Sequence, residues 1–151
     1  LKARGDYKPK NYEYERLHNG IAVIRFFENV KKFHEKGENG QPDSTGYEYD
    51  RYTITRKHSA HLQESVGNYT QLWLDFVKAE EEKTLADEIR TQRDTLLDKT
   101  DRTQIPDVPM TENSRAAFRV YRQALRDIPE QPGFPFDVEW PTEPESEKAT
   151  K

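Results

Sequence analysis

The chain changes its hydrophobic period near residue 59. Before that point apolar and charged side chains alternate. Tyr12-Glu13-Tyr14-Glu15-Arg16-Leu17 gives way, after His18-Asn19-Gly20, to the β-branched and aromatic run Ile21-Ala22-Val23-Ile24-Arg25-Phe26-Phe27. A period of two turns one face of each segment toward a core, and Asn-Gly supplies the positive φ that a tight reversal needs, so residues 12–27 predict a β-hairpin. Residues 36–46 hold three of the seven glycines together with Asn39, Pro42, Asp43 and Ser44 and read as a loop. Residues 47–55, Tyr47-Glu48-Tyr49-Asp50-Arg51-Tyr52-Thr53-Ile54-Thr55, alternate again and form a third strand able to pair with residues 21–27. The polar, basic residues 1–9 are expected to be a loose arm.

From Ser59, a suitable N-cap, the period becomes helical. Leu62, Val66, Tyr69, Trp73 and Val77 recur at three or four residues, and Leu72 and Phe76 widen the stripe. Glu80-Glu81-Glu82-Lys83 reads as solvated, and Thr84 with Asp87 forms a weak capping box before a second stripe of Leu85, Ile89, Leu96 and Leu97. No Gly or Pro separates the two stripes, so one long bent rod is an equal reading. Ile105-Pro106-Asp107-Val108-Pro109 stops the helix. A last helix starts near Thr111, with Ala117, Tyr121, Ala124, Leu125 and Ile128 on one face, and ends at Pro129. The connector before it allows the helix to fold back as an antiparallel hairpin. Pro129, Pro132, Pro135 and Pro141 then hold residues 131–141 extended, with Phe134, Phe136 and Trp140 as rings on a stiffened ribbon.

The expected class is therefore α+β. A small antiparallel sheet, hairpin plus third strand, precedes two or three helices, with an α-helical hairpin and an extended Pro/aromatic C-terminal segment. Residues 1–80 form a strand-plus-helix region, residues 81–144 the helical hairpin with its tail, and residues 145–151 a disordered end.

Composition limits what such a chain can do. Of 151 residues, 32% are hydrophobic and 34% charged, which leaves little apolar surface for a thick core, while the 11% aromatic content argues for order. A net charge of −4 does not supply the footprint for phosphate-backbone binding, so nucleic acid is not an expected partner. No stretch approaches the roughly 20 apolar residues of a membrane span, and a soluble protein is expected, with no membrane partner. The absence of cysteine removes thiol nucleophiles and sulfur-ligated metals and fits a reducing cytoplasm. A chain opening at Leu1 without Met is expected of one that has been trimmed or belongs to something longer.

Candidate chemistry is sparse. His58 and His61 stand three apart, with His34 on the loop side, but no His-Glu-x-x-His or comparable ligand spacing exists and surface histidines are the better reading. The carboxylates of residues 80–88 lie among basic residues on polar faces, and neither a nucleophile elbow nor a phosphate-cradling glycine motif is present. No catalytic, metal or cofactor site is expected, and an enzyme is not. Arg4-Gly5-Asp6 spells an integrin-ligand tripeptide, a match that chance supplies often. Tyr12, Tyr14, Tyr47, Tyr49 and Tyr52 could stack bases, but Glu13, Glu15, Glu48 and Asp50 between them would repel phosphate, so the rings are expected to cover a helix or a partner chain.

The most distinctive stretch joins the last helix to the tail. Tyr121-Arg122-Gln123-Ala124-Leu125-Arg126-Asp127-Ile128-Pro129 is followed by Gly133-Phe134-Pro135 and Val138-Glu139-Trp140-Pro141. With Arg90-Thr91-Gln92-Arg93-Asp94-Thr95-Leu96-Leu97 and Thr100-Asp101-Arg102-Thr103-Gln104-Ile105-Pro106, residues 85–144 resemble the phage tail assembly chaperone family. Arg102 and Phe118 stand where that pattern usually has Trp. The first 80 residues resemble tail-associated proteins more loosely, through Ile24-Arg25-Phe26-Phe27-Glu28-Asn29-Val30 and the Tyr-rich strand.

The resemblance implies binding rather than turnover, without cofactor. The implied partner is a phage tail or tail-fibre subunit, assisted in its assembly or attachment in the bacterial host cytoplasm. The alternative is a structural tail or baseplate component that links the tail to a fibre or receptor-binding protein in the virion. Self-association is left open. The residues expected to meet the partner are Tyr121, Arg122, Arg126, Phe134, Phe136 and Trp140; a brace over the chain's own helices is the competing role for the same ribbon.

Overall fold

The computed structural model describes residues 1–37 and 42–145. The chain divides into two compact units, Leu1–Glu80 and Glu81–Lys151. The expected disorder at residues 145–151 falls almost wholly outside the described residues.

The first unit is a four-stranded antiparallel sheet with helix on one face. Strands β1 (Lys2–Gly5), β2 (Tyr12–Arg16), β3 (Ile21–Glu35) and β4 (Ser44–Lys57) stand in the order β1-β4-β3-β2. The β2–β3 hairpin closes through Leu17 and Gly20, which takes a φ of 75°. Register then aligns two rows of side chains across three strands: Tyr14, Ile24 and Ile54 in one, Tyr12, Phe26 and Tyr52 in the next. These rows and Ala22 form the core with Val66 of helix α1 (Ala60–Asn68) and Leu74 and Val77 of helix α2 (Thr70–Thr100). Ala22, Ile24 and Phe26 are wholly buried, and each large side chain of this kind contributes about 1.5–3 kcal/mol by leaving water.

Several local expectations are corrected in this unit. Residues 1–9 are not all a loose arm, since Lys2–Gly5 pairs with β4; Arg4 anchors it with Glu35 at 2.8 Å and lies 4.7 Å from the Phe33 ring centre. Strand β3 continues past Phe27 to Glu35, through an irregularity between Glu28 and Lys31 where Asn29 takes a φ of 54° and its amide donates to Asp50. An Asn tolerates that left-handed turn, so the ladder resumes beyond it. Residues 44–46, expected in the loop, belong to β4, while residues 38–41 of that loop lie outside the described residues.

Ser59 caps α1 as expected, its hydroxyl accepting from the Leu62 amide at 3.0 Å. The helix then breaks at Tyr69, at φ −128° and ψ 40°, and α2 begins one residue later. That break resets the helical phase. Tyr69, Leu72 and Phe76 point to solvent instead of widening the buried stripe. No second start occurs at Thr84: α2 is continuous to Thr100, as its run of strong helix formers without Gly or Pro permits.

In the second unit, α2 ends in a 3-10 turn (Asp101–Gln104), and helix α3 (Glu112–Arg126) starts at a Thr111 cap whose hydroxyl accepts from Ser114. Arg115 bonds the carbonyls of Thr103, Ile105 and Val108, Arg122 reaches Leu97 and Thr100, and Phe134 meets Arg90. Contacts therefore run down α2 as the chain advances, the sign of an antiparallel helical hairpin. Its core is Ile89, Phe118, Tyr121, Leu125 and Ile128. Phe118 takes the place expected for Ala117, which is exposed.

The ribbon after α3 is not extended at its start. A 3-10 turn (Ile128–Glu130) leads into turns over residues 131–137, closed by Phe134 N–H to Gln131 and Asp137 N–H to Gly133. A Cβ at residue 133 would collide with the Asp137 backbone, so Gly133 makes the reversal sterically open. Gln131 then clips both backbone groups of Glu139, at 2.8 and 2.9 Å. Residues 138–145 have no regular secondary structure.

Gly46 is the tightest backbone contact in the sheet, with an added Cβ only 2.7 Å from the Gly5 carbonyl. Gly46→Ala should lower stability by about 1–3 kcal/mol through overpacking, read from the midpoint of urea unfolding. An unchanged midpoint would contradict the docking of β1 on β4.

Candidate interaction surface

Arg122 is the most constrained charge in the C-terminal unit. Placed on the inner face of α3, it is 8% exposed, and its guanidinium bonds the Leu97 carbonyl, the Thr100 hydroxyl at 2.8 Å and the Asp101 carboxylate. Thr100 also donates to the Leu96 carbonyl at 2.9 Å. The fork thus ties off carbonyls at the end of α2, where a positive charge also meets the helix dipole favourably. Tyr121, one residue earlier, lies in the core with its ring edge toward Phe118. Burial pushes its hydroxyl above the ordinary phenol range, the nearby Glu143 carboxylate adds to this, and Lys99 opposes it. Tyr121 and Arg122, expected at a partner surface, are turned inward and hold the hairpin together.

The other four expected residues divide. Phe134 and Trp140 are half-buried on the same core, Phe134 beneath the Arg90 guanidinium at 5.3 Å. Phe136 is 70% exposed and Arg126 is also exposed. Packing explains the split: Phe134, Val138 and Trp140 reach back to the helices, whereas Phe136 sits at the outside of the turn between them. The ribbon is a brace with one ring left over.

Arg115, not singled out from sequence, orders the connector by its three carbonyl bonds. Its signal was available: an Arg one turn into a helix that follows a Pro-rich connector full of unpaired carbonyls.

The first unit places its rings mostly inward. Tyr12, Tyr14 and Tyr52 pack on the core beneath the helices, and Tyr49 meets Phe27 edge to face at 5.2 Å. His58 accepts or donates through Nδ1 at 2.9 Å from the Tyr14 hydroxyl, and His34 lies 3.5 Å from Asp43. Among the described residues no group of three or more His, Asp or Glu side chains converges as a metal site. Arg4 of the Arg4-Gly5-Asp6 tripeptide is engaged with Glu35 and Glu48 on the exposed surface of the sheet. No helix among the described residues is long and apolar enough to cross a membrane.

Residues 86–145 match the model of the family described as phage tail assembly chaperone protein. The match covers α2 from Ala86, the connector, α3 and the bracing ribbon, and supports the resemblance drawn from residues 85–144. No curated protein matches the chain, and no solved structure does.

Two outcomes follow from the buried pair. Arg122→Met should cost about 1–3 kcal/mol by removing the guanidinium's bonds to the Leu97 carbonyl, the Thr100 hydroxyl and the Asp101 carboxylate, and Arg122→Lys should recover only part of it, because an ammonium cannot reproduce the fork. Equal stability of all three proteins in thermal melts would refute this. The folded chain holds the Tyr121 proton more tightly than the unfolded chain does. That contribution is therefore complete below about pH 10 and disappears as pH rises through the folded value. Tyr121→Phe should accordingly show a shallower loss of stability than the parent protein in this alkaline range.

Proposed function

We propose that the protein is a non-enzymatic assembly factor that binds a phage tail or tail-fibre subunit in the host cytoplasm and shields it until it joins the particle. The match of residues 86–145 to the tail assembly chaperone family carries this reading. The architecture of that segment accords with it, since a helical hairpin with a self-bracing ribbon is ordered before any partner arrives and loses little entropy on binding. Within it, Phe136 and Arg126 offer an exposed ring and an exposed cation. Phe134 and Trp140 support that surface from below and contribute their outer edges. Nucleic acid, membrane and cofactor have no part in this function.

The test is co-expression with candidate tail and tail-fibre subunits, followed by size-exclusion chromatography. Co-elution with one of them is expected, together with absence from purified particles; stoichiometric presence in virions would assign the chain to the tail structure instead. Phe136→Ala combined with Arg126→Glu should weaken co-elution while leaving stability within about 0.5 kcal/mol, as surface changes do. Trp140→Ala should lower stability by about 1–3 kcal/mol because its ring is part of the core. A complex indifferent to the surface pair would move the contact elsewhere.

A further inference from the structure

The first unit carries an apolar face that its own core does not use. Tyr69, Leu72, Trp73 and Phe76 recur at spacings of three and four, and with Ser65 they line an open groove of about 340 Å³. Tyr69, Leu72 and Phe76 are 59, 66 and 46% exposed, whereas Leu74 and Val77 on the same turns of α2 are buried against the sheet. The groove is held in shape: Trp73 Nε1 donates to the Ser65 hydroxyl at 3.1 Å, and the Trp73 and Phe76 rings meet edge to face at 5.8 Å.

Charge around the groove selects its occupant. Glu64 and Asp75 are exposed and form no ion pair within 4 Å among the described residues; Asp75 accepts a hydrogen bond from Gln71, at 2.9 Å, and lies within electrostatic reach of Lys78. The neighbouring cations are already engaged, Arg56 with Glu80 at 2.7 Å and Lys78 with Glu28 at 3.0 Å. Arg56 also lies 5.8 Å from the Phe76 ring centre, but its charge is offset by Glu80, so Glu64 and Asp75 leave the surroundings of the groove with a carboxylate excess. A second copy offering the same face would bring carboxylate rims together, which opposes association.

We propose that this groove docks an amphipathic helix of a partner protein, with apolar residues at i, i+3 and i+7 and Lys or Arg along its flanks. An apolar stripe inserts between Tyr69, Leu72 and Phe76, and the basic flank meets Glu64 and Asp75, the helix-in-groove mode of recognition. The site lies wholly in the unit outside the family match, so it stands whether or not the C-terminal surface binds as proposed above.

The experiment uses the full chain and two dye-labelled peptides of about 15 residues, both with leucine at i, i+3, i+4 and i+7, one flanked by lysine and the other by glutamate. Fluorescence anisotropy should show the lysine peptide binding at least about tenfold more tightly. Leu72→Glu, at an exposed position and checked for folding by circular dichroism, should weaken it by about tenfold or more. Glu64→Lys with Asp75→Lys should reverse the preference. The Phe136→Ala, Arg126→Glu protein should bind this peptide like the parent, which separates failure here from failure of the C-terminal reading. Equal binding of the two peptides, no binding, or binding indifferent to Leu72→Glu overturns the proposal. A dimer that Leu72→Glu dissociates would also overturn it, in favour of a second copy.

Discussion

Scarcity of apolar residues is the constraint on which both units depend. With 32% hydrophobic and 34% charged residues, neither unit can rely on a broad core. The first concentrates its burial in the rows Tyr14-Ile24-Ile54 and Tyr12-Phe26-Tyr52, closed by three helical residues, Val66, Leu74 and Val77. The second has an even smaller core and completes it with polar side chains that satisfy backbone. Arg122 ties off the end of α2, Arg115 gathers the connector carbonyls, and Gln131 clips Glu139. Each of these contacts satisfies acceptors or donors that would otherwise need water, which lets a thin hydrophobic layer suffice.

What could be read from the residues follows from how local each signal is. The β2–β3 hairpin was legible because Asn19-Gly20 and the flanking alternation are adjacent in the chain, and the pairing of residues 47–55 with 21–27 followed from the same alternation. The strand Lys2–Gly5 was not legible, because its anchor is a contact of Arg4 with Glu35, Glu48 and Phe33, far away in sequence. The break at Tyr69 escaped for another reason: no Gly or Pro marks it, and a run of apolar residues at three and four fits an unbroken helix equally well. Residue type identified Arg122 and Tyr121 as important, but not whether they served a partner or the fold.

The same distinction organises function. In the segment that the family model matches, most of the aromatic ribbon is committed to the hairpin, with Phe134, Val138 and Trp140 all on its core. The outer turn, at Phe136, and the end of α3, at Arg126, are free of that duty, as is Val120 on the outer face of α3. The surface proposed there is small and preformed, and its affinity would depend on a few anchors rather than on area.

The stripe at Tyr69, Leu72 and Phe76 raises a sharper question of energetics. Isolated exposed hydrophobics are ordinary, but three within two helical turns beside Trp73 make a contiguous patch. Each would contribute about 1.5–3 kcal/mol if buried, and continuation of α1 through Tyr69 without a break would have altered the phase that leaves them outside. The chain instead breaks the helix at one residue, directs Leu74 and Val77 to the sheet and leaves the aromatic stripe on the surface. For a protein so poor in apolar side chains, that arrangement does not serve the stability of the unit. Its hydrophobic gain becomes available only when another surface covers it, and the Glu64 and Asp75 carboxylates would bias which surface that is.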